Sequence, residues 1–233
     1  MPTREEIVER ALGYPFPRPR SSVLIAAGRV EPLTELDARG RTPVLAYGSN
    51  ASPESLGWKF PDERDAVVPL VRGRLRDLDV VYSSHIAVYG SVPATLQGSA
   101  GTAVETFVAY LTDHQLALVE GWEINSTYAS LAVDLELEHG AAPAEVGAFV
   151  SRHGPLAVQG APVALAAVTA AGRRFAAMTQ PEVLEHVRAA LAPEQSLEDF
   201  VTANVADYER ARELTALLPS VPFEPSRRGD SNP

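Results

Sequence analysis

"VLAYGSNAS", residues 44–52, passes from three apolar residues straight into Tyr47, Gly48, Ser49 and Asn50. The apolar run reads as the end of a buried strand, and the "SPESL" that begins at Ser52 offers that serine as a helix N-cap with Pro53 in the favoured first helical position. The local unit is therefore strand, tight loop, helix start. Such a loop gathers backbone N–H groups at a positive helix end, where they can hold a carboxylate, a phosphate or a developing oxyanion. Gly48 lets the backbone approach a ligand closely. As composition alone the same four residues also suit a capped turn, because turns favour them anyway.

Outward from the loop, short β-rich runs alternate with turns from about 43 to 170: "PVLAYG", "VVPLVRGRLRDLDVVY", "AVETFVAYLT", "YASLAVDLELE", "EVGAFVSR" and "PVALAAV". Residues 131–137, "LAVDLEL", alternate as a strand with one wet face should. Before this region, "TREEIVERAL" at 3–12 predicts a short amphipathic helix capped by Thr3, with Glu5 and Glu6 in its first turn, and "GYPFPRPR" breaks it. After residue 175 the period becomes helical. "TQPEVLEHVRAAL" and "SLEDFVTANVADYERARELTALL" predict two closing helices, the second capped by Ser196 with Val201, Val205 and Tyr208 on one face. The polar tail "PSRRGDSNP" is expected to be disordered. "YGS" recurs at Tyr89 to Ser91, but its flanks do not repeat, and it reads as coincidence.

One helix interrupts the strands. In "TDHQLALVEGWEINSTY", Thr112 and Gln115 form a capping-box pattern, which predicts a helix from 113 to about 123. At about 100° per residue, Leu116, Leu118, Val119 and Trp122 share an apolar arc; Glu123 projects between Val119 and Leu116, and Glu120 falls about 40° beyond the edge. Glu123 is thus expected to face inward. An inward carboxylate is costly unless it is paired or kept for chemistry. The structural alternatives are an ion pair with Arg72 or Arg74, or a helix that ends before 123 and leaves the residue in water; as an inward carboxylate is costly, a glutamine at 123 is expected to hold or raise stability.

The ordered string "AYGSN" after an apolar strand resembles the signature of the gamma-glutamylcyclotransferase family, whose members carry Y-G-S-N at the end of the first barrel strand. The helix 113–123 followed by Tyr128 is similar to the family's helix that delivers a catalytic glutamate. "VPATLQGSAGTAVETFVAYLT" is similar to the approach to that helix, with Glu105 where glycine is usual. The resemblance implies a small mixed β-barrel with an inserted helix. It also implies release of 5-oxoproline from a gamma-glutamyl amide, without a cofactor, by attack of the substrate's own α-amine on its γ-carbonyl. It makes Glu123, or alternatively Glu120 in its E-G pair, the general acid/base, and Tyr47, Gly48, Ser49, Asn50 and Tyr128 the substrate-binding residues. Burial would raise the pKa of such a glutamate, whereas a bound ammonium would lower it.

Composition narrows the rest. The 233 residues include no cysteine, which excludes disulfides, thiolate metal sites and a cysteine nucleophile and accords with a reducing cytoplasm. "MPTREEIVER" lacks an apolar export region, and the alanine-rich run at 155–172 is broken by Gln159, Gly160 and Pro162, so it does not read as a membrane span. A formal charge of −10 opposes binding to nucleic acid or anionic membranes. A small-molecule partner is the better expectation. His85, His114, His139, His153 and His186 lack metal-site spacing and read as surface or locally bonded residues, and no G-x-S-x-G elbow or phosphate-binding glycine motif occurs.

The expected organisation is α+β: an N-terminal helical arm at 1–40, a barrel of the gamma-glutamylcyclotransferase type at 41–175, and a C-terminal helical extension with its tail at 176–233. The expected function is a metal-free cyclotransferase. The alternative from another class is a non-catalytic protein that holds a carboxylate-bearing small molecule on the same loop.

Overall fold

In the computed structural model, which describes residues 2–26, 29–60, 62 and 67–225, Thr3 and Glu6 cap the first helix reciprocally. Glu6 accepts from the Thr3 N–H at 2.6 Å and the Thr3 hydroxyl accepts from the Glu6 N–H at 3.3 Å, which opens α1 (Arg4–Leu12). The chain then forms β1 (Val23–Ala26), β2 (Arg29–Pro32), β3 (Thr42–Ala46), α2 (Pro53–Lys59), β4 (Val68–Tyr82), β5 (Ala94–Leu111), α3 (Asp113–Trp122), β6 (Ser126–Ala132), β7 (Asp134–Leu137) and β8 (Glu145–Ser151). Three helices, α4 (Gln180–Leu191), α5 (Leu197–Ala206) and α6 (Tyr208–Thr215), come last among the described residues.

β4 and β5 form the spine, antiparallel along almost their whole length. Their register shifts between Arg76 and Leu78, where Asp77 takes a φ of 59° and its carboxylate accepts from the Gly101 N–H at 2.7 Å. This bulge bends the pair. β3 lies between β5, antiparallel, and β8, parallel. Both its faces are covered: Val44 and Ala46 pack with Leu56, Phe107 and Val119, whereas Leu45 and Tyr47 pack with Val71 and Val108. A strand buried on both sides needs the unbroken apolar run that residues 44–46 supply.

The main ladder runs from Ala177–Met178 through Ala164–Leu165 to β4, β5, β3, β8 and β6, with β7 bonded to β4 off this path. The α+β expectation holds as a large mixed sheet with helices, whereas the expected barrel is not found as a closed one among the described residues. β6 pairs with β8, and beyond Val133 the chain continues as β7, which pairs with β4.

Three further expectations are corrected. The N-terminal arm is helical at Arg4–Leu12 alone among its described residues: β1 pairs with β2 and with β4, so residues 23–26 and 29–32 belong to the sheet. The last long helix is broken at Asp207, whose extended backbone (φ −130°, ψ 96°) ends α5 and whose carboxylate accepts from the Arg210 N–H to start α6. The Glu105 carboxylate pairs with Arg72 at 2.8 Å, and Arg72 also pairs with Glu138 at 2.9 Å, so Arg72 is engaged on another face of the sheet. Most of the expected disordered tail, 226–233, lies outside the described residues; just before it, Glu224 is bonded to the Gly98 N–H and to Gln97 on β5. No helix among the described residues is long and apolar enough to cross a membrane.

Candidate active site

The predicted capping box at the start of α3 is present, with the Thr112 N–H donating to Gln115 Oε1 at 2.9 Å and the Thr112 hydroxyl accepting from the Gln115 N–H. Val119 is buried, and Leu116 and Leu118 pack against the same cluster. Trp122, however, is 56 % exposed. Glu123 is not on the helix face at all: it ends α3 with a φ of −87° and a ψ of 43°. Its inward direction follows from the turn of the chain there and not from the helical arc. Glu120 remains exposed.

Glu123 meets three side chains. Asn50 Nδ2 donates to its Oε1 at 3.0 Å, Lys59 Nζ donates to the same oxygen at 3.0 Å, and Ser126 donates to Oε2 at 3.3 Å. Lys59 Nζ also donates to Asn50 Oδ1 in a short bond. The partner of the carboxylate is thus Lys59, in place of the expected Arg72 or Arg74. Burial pushes the Glu123 carboxyl up, but the Lys59 ammonium and the bonds from Lys59, Asn50 and Ser126 outweigh it and hold the carboxyl below its ordinary value. The free protein therefore keeps this group ionised.

The loop after β3 supplies the opposite side. Tyr47 is buried, and its hydroxyl donates to the Phe149 carbonyl in a short bond, while the Arg18 guanidinium donates to the Tyr47 carbonyl at 2.6 Å. Burial, with Glu123 adding to it, pushes the Tyr47 phenol well above its ordinary value, so it stays protonated. Ser49–Ala51 make a single tight helical turn that leads to Ser52, whose hydroxyl caps α2 as expected. Gly48 is needed for a close approach: a Cβ there would sit 2.5 Å from the Tyr14 hydroxyl and 3.5 Å from the Ala94 Cβ. Tyr14 is held in that place by the Ala94 N–H, which donates to its hydroxyl at 2.7 Å.

Tyr47, Gly48, Ser49, Asn50 and Glu123 all line one cavity of about 590 Å³, within the range of small-molecule sites. Tyr128 does not. Its ring packs edge-on to Phe149 at 5.4 Å on the outer side of β6 and is 37 % exposed.

The cavity has walls that the motif did not reveal. Tyr14, Phe16, Trp58 and Tyr89 form an aromatic cluster, with Phe16 5.3 Å from Trp58 and 6.0 Å from Tyr89, and the Arg10 guanidinium lies 4.3 Å over Trp58. Tyr89 belongs to the second "YGS", so that recurrence carries a residue of the site. Lys59 had a signal as well: it is the single lysine among twenty basic residues. A compact ammonium fits between Asn50 and Glu123 as a planar guanidinium would not. His85 also lines the cavity and is buried, and of the two expectations it is the locally bonded one, with its Nδ1 2.7 Å from the Ser83 hydroxyl; burial, with His153 4.9 Å away, lowers its pKa to about 3 and keeps it neutral. Among the described residues no three His, Cys, Asp or Glu side chains form a group that could hold a metal ion.

The chain is structurally similar to a gamma-glutamyl cyclotransferase. That likeness has a TM-score of 0.40 and 14% identity, and it covers 82% of this chain and 92% of the other. An uncharacterised protein from Homo sapiens is similar at a TM-score of 0.38 and 14% identity, over 83% and 94% of the two chains. A protein from Arabidopsis thaliana is similar at 0.39 and 18% identity, over 50% of this chain and 72% of its own. No protein-family model and no curated protein matches the sequence. At TM-scores of 0.40 or less these likenesses are distant, and the chemistry of the site stands on its own residues.

Proposed function

We propose that the protein is a gamma-glutamylcyclotransferase-like enzyme that releases 5-oxoproline from a gamma-glutamyl amide. The observation that carries this reading is the 3.0 Å bond between Glu123 and Asn50, which sets an ionised carboxylate directly against the loop inside a ligand-sized cavity. A substrate seated on the loop would lie within hydrogen-bond reach of that carboxylate, as a general base requires. The substrate's α-nitrogen forms a bond to its own γ-carbonyl carbon and the amide C–N bond to the other half breaks; the α-ammonium gives up two protons in becoming the lactam N–H, and the departing nitrogen takes up two and leaves as an ammonium. Glu123 is the group that carries protons from the attacking nitrogen to the departing one. Attacker and target share one molecule, so the protein needs only to fold the substrate into a near-attack shape and to steady the oxyanion.

Lys59 fits this scheme as a positioning residue that keeps Glu123 ionised and fixed. Glu123 Oε2 accepts only the longer 3.3 Å bond from Ser126, which leaves that oxygen the better placed to take a substrate proton. The same Lys59–Glu123 pair favours the second reading, a non-catalytic protein for a carboxylate-bearing ligand, because a paired carboxylate needs no chemistry to account for it.

The test is 5-oxoproline release from a panel of gamma-glutamyl dipeptides and gamma-glutamylamines. Glu123→Gln is expected to lower turnover by roughly 10² to 10⁴, and Glu120→Gln, altered at an exposed position, to stay within a few-fold. A flat panel with a folded protein would leave the binding reading. Equal, negligible effects of both substitutions would remove Glu123 from the mechanism.

A further inference from the structure

The cavity is unequal in its chemistry. One part holds Glu123, Lys59, Asn50 and Ser126, and the other is apolar and aromatic. A volume of about 590 Å³ exceeds what a glutamyl group fills and corresponds to a larger, drug-sized ligand. Exposed apolar side chains are also gathered here. Of the eight large hydrophobic residues that are exposed among the described residues, Trp58, Val88, Trp122 and Ile124 all line this cavity. Single exposed hydrophobics are ordinary, but a cluster at one mouth marks a binding surface.

We infer that the aromatic part of the cavity is a specificity site for the departing half of the substrate, and that this half carries a large, flat apolar group. This rests on the reading of the polar part as the place where the gamma-glutamyl group reacts. The Phe16, Trp58 and Tyr89 rings, arranged at interplanar angles of 81° and 50°, offer edges and faces together, which is how a planar apolar group is best received. Arg10 covers Trp58 through a cation–π contact and fixes that ring. The one carboxylate of α1 that reaches this cavity, Glu6, accepts from the Thr3 N–H in the helix cap and is not held out to attract a cationic substituent. Trp58 and Lys59 are adjacent in the last turn of α2, so one helix end joins the aromatic site to the polar one. The departing nitrogen would then lie between them.

Two matched pairs test the inference: gamma-glutamylphenylalanine against gamma-glutamylalanine, and gamma-glutamylphenethylamine against gamma-glutamylmethylamine. In at least one pair the aromatic member is expected to have a kcat/KM higher by tenfold or more, and Trp58→Ala or Phe16→Ala is expected to bring that ratio toward one. Binding of the same four compounds to folded Glu123→Gln, followed by thermal stabilisation, separates this inference from the reaction on which it rests. If nothing is turned over but the aromatic compounds stabilise the protein more strongly, the specificity site stands and the cyclotransferase reading falls. Turnover with ratios near one in both pairs, or a preference that both substitutions leave intact, would overturn the specificity site.

Discussion

Lys59 and Glu123 are 64 residues apart in sequence and 3.0 Å apart in space, with side chains 8 % and 21 % exposed. Two consequences follow for substitutions. Glu123→Gln leaves the Lys59 ammonium buried beside a neutral amide, so it is expected to lower stability by roughly 2 kcal/mol, below the roughly 3–5 kcal/mol for removing one partner of a fully buried pair. This reverses the expectation for an unpaired inward carboxylate. The sign with pH is fixed by direction: the Glu123 carboxyl is held below its ordinary value of 4.5, so its stabilising effect is fully present above that value and is lost as pH falls through the folded-state pKa. Urea midpoints of parent and Glu123→Gln should differ at pH 7 and converge in acid. Lys59→Met removes the ammonium that offsets burial, so the Glu123 pKa should rise. A carboxyl NMR titration measures it, and the acid limb of kcat/KM should move the same way.

Each element that frames the cavity is held by a cap its own residues supply. α3 begins in the Thr112–Gln115 box and ends where Glu123 turns into the cavity; α2 begins at Ser52 and ends at Lys59; α1 begins at Thr3 and leads to Tyr14 and Phe16. The C-terminal helices back this arrangement. α1 packs on α5, the Ser91 hydroxyl donates to the Ala11 carbonyl at 2.8 Å, and Val205 of α5 reaches the cavity wall. Asp207 carries the break that lets α6 fold back. Asp207→Ala should lower stability by about 1 kcal/mol through loss of the α6 cap, read as a shift of the thermal midpoint without loss of the pre-transition helical signal.

Across the whole molecule, the segment 164–178 is tied to the spine by Asp79 on β4, which is fully buried and bound by Arg173 through two nitrogens, at 3.0 Å from each of Nε and Nη2. Arg173 Nη2 also donates to the Val168 carbonyl at 3.0 Å. Arg173→Met would strand a buried carboxylate, and a loss of about 3–5 kcal/mol is expected. It should be the most destabilising of these substitutions in equilibrium urea unfolding, although Arg173 is not among the residues that line the cavity.

Local information was enough for the elements whose signals are local. The caps at Thr3, Ser52, Thr112 and Ser196, the apolar run at 44–46 and the alternation at 131–137 each depend on residues within a few positions of one another, and each could be read from the chain. The loop 47–50 was legible for the same reason, whereas the inward direction of Glu123 follows from the turn of the chain at the end of α3 and not from the arc on which it was expected. What brings them together was not. β3 is inserted between β5 and β8, Lys59 arrives from the far end of α2, Tyr14 and Phe16 come from a segment that shares no period or motif with the loop, and the "YGS" of Tyr89 has flanks that do not repeat. The first half of β5, with glycines at 98 and 101, carried little strand signal, yet pairing with β4 holds it. Contacts made across tens of residues depend on strand order and on how buried faces meet, and these leave no spacing in the sequence. The ionisation of Glu123 shows this most directly: its identity is written at one position, whereas its pKa is set by an ammonium, an amide and a hydroxyl that only the folded chain assembles around it.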